Sequence, residues 1–321
     1  MILTITLNPL LERRLIFKRV LFEDENRNGS KELKAGGKGI NVSRQLNNLN
    51  TDNFAFTFLG GSNGKILKEI LSKEGIKFSF VKMHEETRDA FITVDESKKK
   101  ISTFFSLNSK ISSIEVEEFK NKLEKMIENC EIVVFAGSSP CEEANSIFPH
   151  GIELANKYDK ISVCDTYGAH LANCIESSPT ILHNNITELK KSLNISLNDE
   201  KDKLEFLDYL YGKNIKQSFL TDGDGITFAS NFEYHFKVKN PAVDVYDATG
   251  SGDGFVAGVA YSWHNNLTFE ECLSFSSALG ICNAKSYDVC NVKLAEAEEV
   301  KQLVKISSTG KKMKTIDVTP H

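Results

Sequence analysis

No apolar run in this chain of 321 residues approaches the roughly 18 residues that a membrane-crossing helix needs, so a helical membrane protein is not expected. The first seven residues carry neither a basic stretch nor a long apolar core. They alternate like a strand, and no secretory signal is expected from them. Positive charge is not in excess: 39 Lys and Arg stand against 44 Asp and Glu, a net charge of −5 that argues for neither nucleic acid nor a membrane as partner. No Cys-x-x-Cys occurs. The seven cysteines (130, 141, 164, 174, 272, 282 and 290) are an odd number and predict reduced, mostly buried thiols in a cytoplasmic protein, not a disulfide or zinc framework. There is no internal repeat.

Three common ligand motifs are also missing. The stretch Gly60-Gly61-Ser62-Asn63-Gly64-Lys65 has the wrong spacing for a Walker A loop, and Ile66 stands where Ser or Thr must hold magnesium. Without G-x-G-x-x-G, a nicotinamide enzyme has no support. Asp222-Gly223-Asp224-Gly225 starts like a calcium loop, but Ile226 and Thr227 occupy positions that need a ligand and a glycine.

What remains is ordinary globular composition, 40% apolar and 26% charged, in a chain long enough for one large domain or two. Strand-like and helix-like segments alternate. Strands are expected at 2–7, 54–59, 132–136, 161–164, 180–182 and 217–221. Helices are expected at 39–49, 65–74, 114–129, 142–157, 187–193, 202–212, 254–264, 268–285 and 294–306. Repeated βα units with short connections predict an α/β fold with a doubly wound, mostly parallel sheet. Segments 12–34 and 87–106 break the alternation with short strands and polar turns, and are expected to pair into a small β-lid. The α/β core would then comprise 1–11, 35–86 and 107–306, with a polar tail at 307–321 that includes Lys311, Lys312 and Lys314.

Two glycine-rich strings carry the chemistry. In Asp247-Ala248-Thr249-Gly250-Ser251-Gly252-Asp253-Gly254, small residues precede an apolar helix, placing bare N–H groups where an anion is favoured. Asp253 stands beside that anion, placed to take a proton from an attacking hydroxyl. The alternative is a plain turn opening a helix, with Asp253 there for the helix dipole. The second string, Ala35-Gly36-Gly37-Lys38-Gly39-Ile40-Asn41-Val42, allows close backbone approach, with Lys38 and Asn41 offering a charge and an amide to hydroxyls or a phosphate.

Together these strings resemble the PfkB/ribokinase-like carbohydrate kinases, in the branch of tagatose-6-phosphate kinase and 1-phosphofructokinase. The resemblance runs along nearly the whole chain: Thr6-Leu7-Asn8-Pro9, Gly36 to Val42, Glu86-Thr87-Arg88, Asp165 to Gly168, Asn185-Ile186-Thr187-Glu188, Ala248 to Gly258, and Leu279 to Lys285. It implies Asp253 as general base, with Gly250, Ser251 and Gly252 as the anion hole. It implies Asn185 and Glu188 as organisers of Mg2+, through water. Thr221, Gly223 and Gly225, with Ser251, would line ATP, and Asn283 would lie near the adenine or ribose. On the sugar side it implies Gly37, Lys38 and Asn41, with Arg88, and Arg27 from the lid, for a sugar's phosphate.

The chain departs from the family pattern at several points. Glu12 replaces the Asp of N-P-x-x-D that binds sugar hydroxyls. Cys141-Glu142 ends the G-S-L-P-x-G loop without its glycine, His183-Asn184 replaces Lys-Pro before Asn185, and the loop after Thr221 is one residue tighter. The reading is an ATP- and Mg2+-dependent kinase of a ketohexose phosphate, with tagatose 6-phosphate favoured over fructose 1-phosphate. The alternatives are a kinase of an unphosphorylated sugar or nucleoside, and a catalytically silent sugar-phosphate or nucleotide sensor. A lid with exposed edges and an apolar face predicts a homodimer through the lid.

Overall fold

The computed structural model describes residues 1–309. Its strands are β1 (Ile2–Thr6), β2 (Leu10–Phe17), β3 (Ser30–Gly36), β4 (Asn53–Leu59), β5 (Phe78–Lys82), β6 (Asp89–Asp95), β7 (Lys100–Phe105), β8 (Ile132–Ala136), β9 (Ile161–Asp165), β10 (Ile181–Asn185), β11 (Gln217–Thr221), β12 (Thr227–Asn231), β13 (Tyr234–Lys239) and β14 (Lys305–Thr309). The α-helices are α1 (Lys38–Asn48), α2 (Gly61–Lys73), α3 (Ser113–Glu128), α4 (Ile147–Lys157), α5 (Leu171–Glu176), α6 (Ile186–Leu193), α7 (Glu200–Gly212), α8 (Ser251–His264), α9 (Phe269–Lys285) and α10 (Leu294–Lys301).

Ten strands form one sheet in the order β14-β13-β12-β11-β10-β9-β8-β1-β4-β5. The seven from β5 to β11 pair in parallel; β12, β13 and β14 extend the sheet antiparallel. β1 and β8 lie near the centre and are buried along their whole length; β8 is a continuous apolar run, and in β1 only Thr4 and Thr6 interrupt the apolar residues. Successive side chains then feed two cores. Leu3, Ile5, Phe56 and Phe58 pack on α3 and α4, with the Phe119 ring 4.0 Å from Phe56 and 4.4 Å from Phe58. Ile2, Val134 and Val163 pack on α1, α8 and α9. α8 meets α9 so closely that a Cβ on Gly258 would stand 2.6 Å from the Ser276 Cα, so only glycine fits there.

Segments far apart in sequence do form a second sheet, β3-β2-β6-β7. Register puts Arg13, Leu15, Phe91 and Phe104 on one face, and Leu10, Glu12, Arg14, Ala90, Ile92 and Val94 on the other. The second face is buried, with Tyr287 packed against it. The first leaves Leu15, Phe91 and Phe104 exposed.

Three expectations need correction. The helix expected over 294–306 stops at Lys301, and 305–309 turn back as β14 beside β13. The start of the expected tail, 307–309, is therefore an edge strand, while 310–321, with Lys311, Lys312 and Lys314, lie outside the described residues. The β12–β13 hairpin was not anticipated, because its turn carries no Asn-Gly or Asp-Gly signal: Phe232 itself takes the left-handed conformation, φ 53°. β5 also escaped notice. No helix among the described residues is long and apolar enough to cross a membrane. All seven cysteines are free, six of them buried.

Candidate active site

The parallel strands end on a common rim, the place where open α/β sheets leave a crevice. β9 delivers Asp165 there, β10 delivers Asn185, and β11 delivers Thr221. α1 and α8 begin on the same rim, and both glycine strings lie at their N-termini.

Gly250 precedes α8 with φ 78°, and a Cβ there would come within 2.3 Å of Val289 Cγ1. No side chain caps the helix, and its first internal bond runs from Gly254 N to Gly250 O, 2.8 Å. Ser251 N donates to Ala248 O, so the N–H groups of Gly252 and Asp253 are the ones left for an anion. Asn283 braces this turn from below. Its amide nitrogen donates to Thr249 O and Ser251 Oγ, and its oxygen accepts from Cys290 N at 2.7 Å. It is 1% exposed, and its amide is engaged in this brace.

Asp253, in the first turn of α8, is 5% exposed and accepts from Asn41 Nδ2 at 2.7 Å. Burial pushes its carboxyl up to about 6. Asp165 and Glu188 add to the rise, while Lys38 and Asn41 oppose it. Lys38 is the first residue of α1, after Gly37 at φ 124°. Its Nζ lies 3.2 Å from Glu188 Oε2, 3.4 Å from Asp165 Oδ1 and 5.1 Å from the Tyr167 ring centre. Burial alone would lower its pKa. Asp165, Asp253 and Glu188 together outweigh burial and hold it well above the usual lysine range.

Asp165 is fully buried. Burial pushes its carboxyl up, but Lys38 and then His183 outweigh that and hold it down at about 2. Its Oδ1 is shared by Lys38 and by His183 Nδ1 at 3.0 Å, while Oδ2 is buried with no partner among the described residues. His183 stands where the resemblance expects lysine. Its Nε2 is 3.2 Å from Thr221 Oγ1 and its ring stacks 5.2 Å from Phe255, so it links the base's neighbour to the end of β11. Neither Asp165 nor His183 was among the residues expected in the site. The available signals were the resemblance at Asp165 to Gly168, the replacement of Lys-Pro by His183-Asn184, and polar residues closing buried strands.

Asn185 caps α6, its Oδ1 accepting from Thr187 N at 2.9 Å, so that oxygen is committed to the helix. Glu188, in the first turn of α6, is committed to Lys38. Among the described residues no three His, Cys, Asp or Glu side chains are grouped to hold a metal by themselves. Gly223 turns the chain after Thr221 at φ 55°, and Gly225 N closes the turn on Asp222 O at 2.7 Å.

On the other wall, Arg88 donates to Asn108 Oδ1 at 3.2 Å and to Asn8 O at 3.1 Å, and its Nε is buried with no partner among the described residues. Asn8 in turn donates to Asn108 Oδ1 and to Ser138 Oγ, each at 3.1 Å. Burial lowers the Arg88 pKa. Glu12 is on the inner face of the small sheet, but its Oε2 is held by Arg14 at 2.6 and 2.9 Å. Arg27 is not brought to the site: it is 78% exposed and paired with Glu25.

Residues 4–296 match the model of the pfkB family carbohydrate kinases. The chain is 29% identical to a tagatose-6-phosphate kinase of Staphylococcus epidermidis, over 95% of this chain and 99% of that one. It is 30% identical to a 1-phosphofructokinase of Borreliella burgdorferi, over 95% and 96% of the two chains. The solved structure of a possible 1-phosphofructokinase from Thermotoga maritima superposes with a TM-score of 0.88, covering 97% of this chain and 100% of that one at 23% identity, a likeness of fold. With the family model matched along nearly its whole length, the chain belongs to the pfkB family of carbohydrate kinases.

Proposed function

We propose that the chain transfers the γ-phosphoryl group of ATP to a primary hydroxyl of a ketohexose phosphate. Tagatose 6-phosphate is the favoured acceptor and fructose 1-phosphate the second. The observation that carries this is Asp253: buried, fixed by Asn41, with its pKa pushed up to about 6, at the mouth of the uncapped α8. A carboxylate so placed takes the proton as the hydroxyl attacks. The Gly252 and Asp253 N–H groups then meet charge growing on the transferring phosphoryl. Lys38 neutralises part of that charge and holds Asp165 and Glu188 in place.

Mg2+ suits the oxygen donors on this rim, because it keeps much of its water and needs few protein ligands. Glu188 would hold it through water, and Asn185 would keep the first turn of α6 in place. When bound, Mg2+ neutralises phosphate charge. Thr221, Gly223 and Gly225 would border the nucleotide, with Ser251 at the far side of its phosphates.

Arg88 is the proposed anchor for the sugar's own phosphate. Its Nε is a buried donor awaiting an acceptor, and its surroundings (Asn8, Asn108, Ser138) are rich in amide and hydroxyl groups. The small sheet would serve as a lid, excluding water during transfer. Its outer face, with Leu15, Phe91 and Phe104 at 40, 53 and 63% exposure, supports a homodimer through that face. Free thiols throughout support a cytoplasmic site of action.

The test is a screen of sugars and sugar phosphates coupled to ADP release. Turnover with ketohexose phosphates and little with free sugars is expected. Turnover confined to free sugars or nucleosides would overturn the substrate class. Binding without any turnover would favour a sensor.

A further inference from the structure

Glu12 occupies a position that should address sugar hydroxyls, yet one of its two carboxylate oxygens is already taken. Arg14, two residues on and on the same face of β2, is 3% exposed and directs both Nε and Nη2 to Glu12 Oε2, at 2.9 and 2.6 Å. Oε1 has a different outlook. It lies 2.7 Å from where a Cβ on Gly36 would stand, so it is pressed against the glycine strand that leads to Gly37 and Lys38. Glu12, Arg14 and Asn41 line one cleft of about 340 Å³, and Asn41 is the residue that fixes Asp253.

Arg14 is itself clamped. Its guanidinium lies 5.2 Å from the Tyr287 ring centre, and Lys34 Nζ, from the neighbouring strand, lies at the same 5.2 Å. Lys34 also pairs with Asp288. The next two residues of that loop reach the anion hole: Val289 packs on Gly250, and Cys290 donates its N–H to Asn283 and its Sγ–H to Gly250 O. Four consecutive residues, Tyr287 to Cys290, thus touch the small sheet at one end and the start of α8 at the other.

We propose that Arg14 is a positioning residue: held on Tyr287, it fixes the Glu12 carboxylate so that Oε1 alone faces the sugar, and it makes that placement depend on contact between the small sheet and the 287–290 loop. This rests on the proposed function above and names what sets sugar recognition within it. The longer stem of Glu12 would otherwise let the carboxylate swing. A two-point hold on one oxygen removes that freedom without consuming the other.

The test is a double-mutant cycle of Glu12→Ala and Arg14→Met, read in steady-state kinetics with the sugar phosphate that the screen identifies. Arg14→Met should raise the KM for the sugar phosphate about tenfold while leaving the KM for ATP within about twofold. In the Glu12→Ala background the same change should add less than about twofold, because Arg14 acts through Glu12. Tyr287→Leu should reproduce part of the KM effect and Tyr287→Phe should not. If removing the cation leaves Glu12 buried and unpaired and the protein fails to fold, Arg14→Lys carries the cycle, keeping the charge and losing the two-point hold. Additive effects, an unchanged or lowered sugar KM, or equal shifts for sugar and ATP would overturn the inference. A wild-type protein that turns over no sugar phosphate overturns the proposed function instead, and the cycle is then read in the Kd of tagatose 6-phosphate by calorimetry.

Discussion

Asp253 and the small sheet face each other across one crevice but are held by different means. Asp253 sits on α8, a helix buried nearly all round, in a charge cluster with Lys38, Asp165 and Glu188 that needs no movement to be complete. The small sheet is buried on one face and exposed over the far part of the other. It is held to the rest through Leu11 and Ala35 packed among residues of α1, β4 and α2, through Tyr287 and Asp288, and through the network around Arg88 and Asn8. The proposed reaction chemistry therefore falls on the preorganised side, where fixed dipoles act without reorganisation. The proposed sugar contacts sit beside the small sheet, whose outer end, with Leu15, Phe91 and Phe104, is the less enclosed of the two.

Asp253→Asn tests the rigid side and should show the largest effect. Loss of the base should lower kcat by about 10³-fold, while the KM for ATP stays within a few-fold. Stability should move the other way. A folded pKa raised to about 6, above the ordinary 3.8, means the group favours folding below pH 4 and loses that contribution as pH rises through 6. At pH 7 the buried charge opposes folding, so the Asn variant should melt no earlier than wild type. An earlier melt with normal turnover would remove Asp253 from the centre of the site.

Gly250→Ala comes next. It forces a Cβ at φ 78° onto Val289, and should cost about 1–3 kcal/mol in unfolding free energy and several-fold in kcat, read by thermal melting and ADP release. On the side of the small sheet, Arg88→Ala should raise the KM for the sugar phosphate about tenfold or more, with little change for ATP. Equal shifts would mean that the two sides are not separate. The acid limb of kcat/KM should follow a single group titrating near 6, rising with pH as Asp253 ionises; a limb near 4 would point to an unburied carboxylate. The smallest effect on turnover is expected from Phe91→Ser with Phe104→Ser, which should shift a dimer toward monomer in light scattering and leave kcat nearly unchanged.

The rigid side was the more legible in the sequence, for a physical reason. Gly250, Gly252 and Asp253 are neighbours in the chain, as are Gly37, Lys38 and Asn41, so local spacing announced them. The alternating strands and helices also announced the parallel sheet. What stayed hidden depends on residues brought together by folding. Lys38 meets Asp165 and Glu188 over separations of 127 and 150 residues, and no local pattern marks such contacts. His183 read as a lost lysine until the structure placed it between Asp165 and Thr221. Asn283 reaches back 34 residues to brace the Gly250 turn, another contact that local spacing does not mark. Arg14 was legible only as a charge on a strand.

The strand β14 has a consequence outside catalysis. It closes the open side of β13, which would otherwise present a row of unpaired N–H and C=O groups along Tyr234–Lys239. Chain truncated before Lys305 would keep every residue of the site and yet expose a template on which other molecules could add strands. In the intact chain β14 is the edge itself, but Lys305, Ser307 and Ser308 are exposed and polar, so it invites less pairing than a bare β13 would, and the harm from its loss would be measured in solubility before it was measured in turnover.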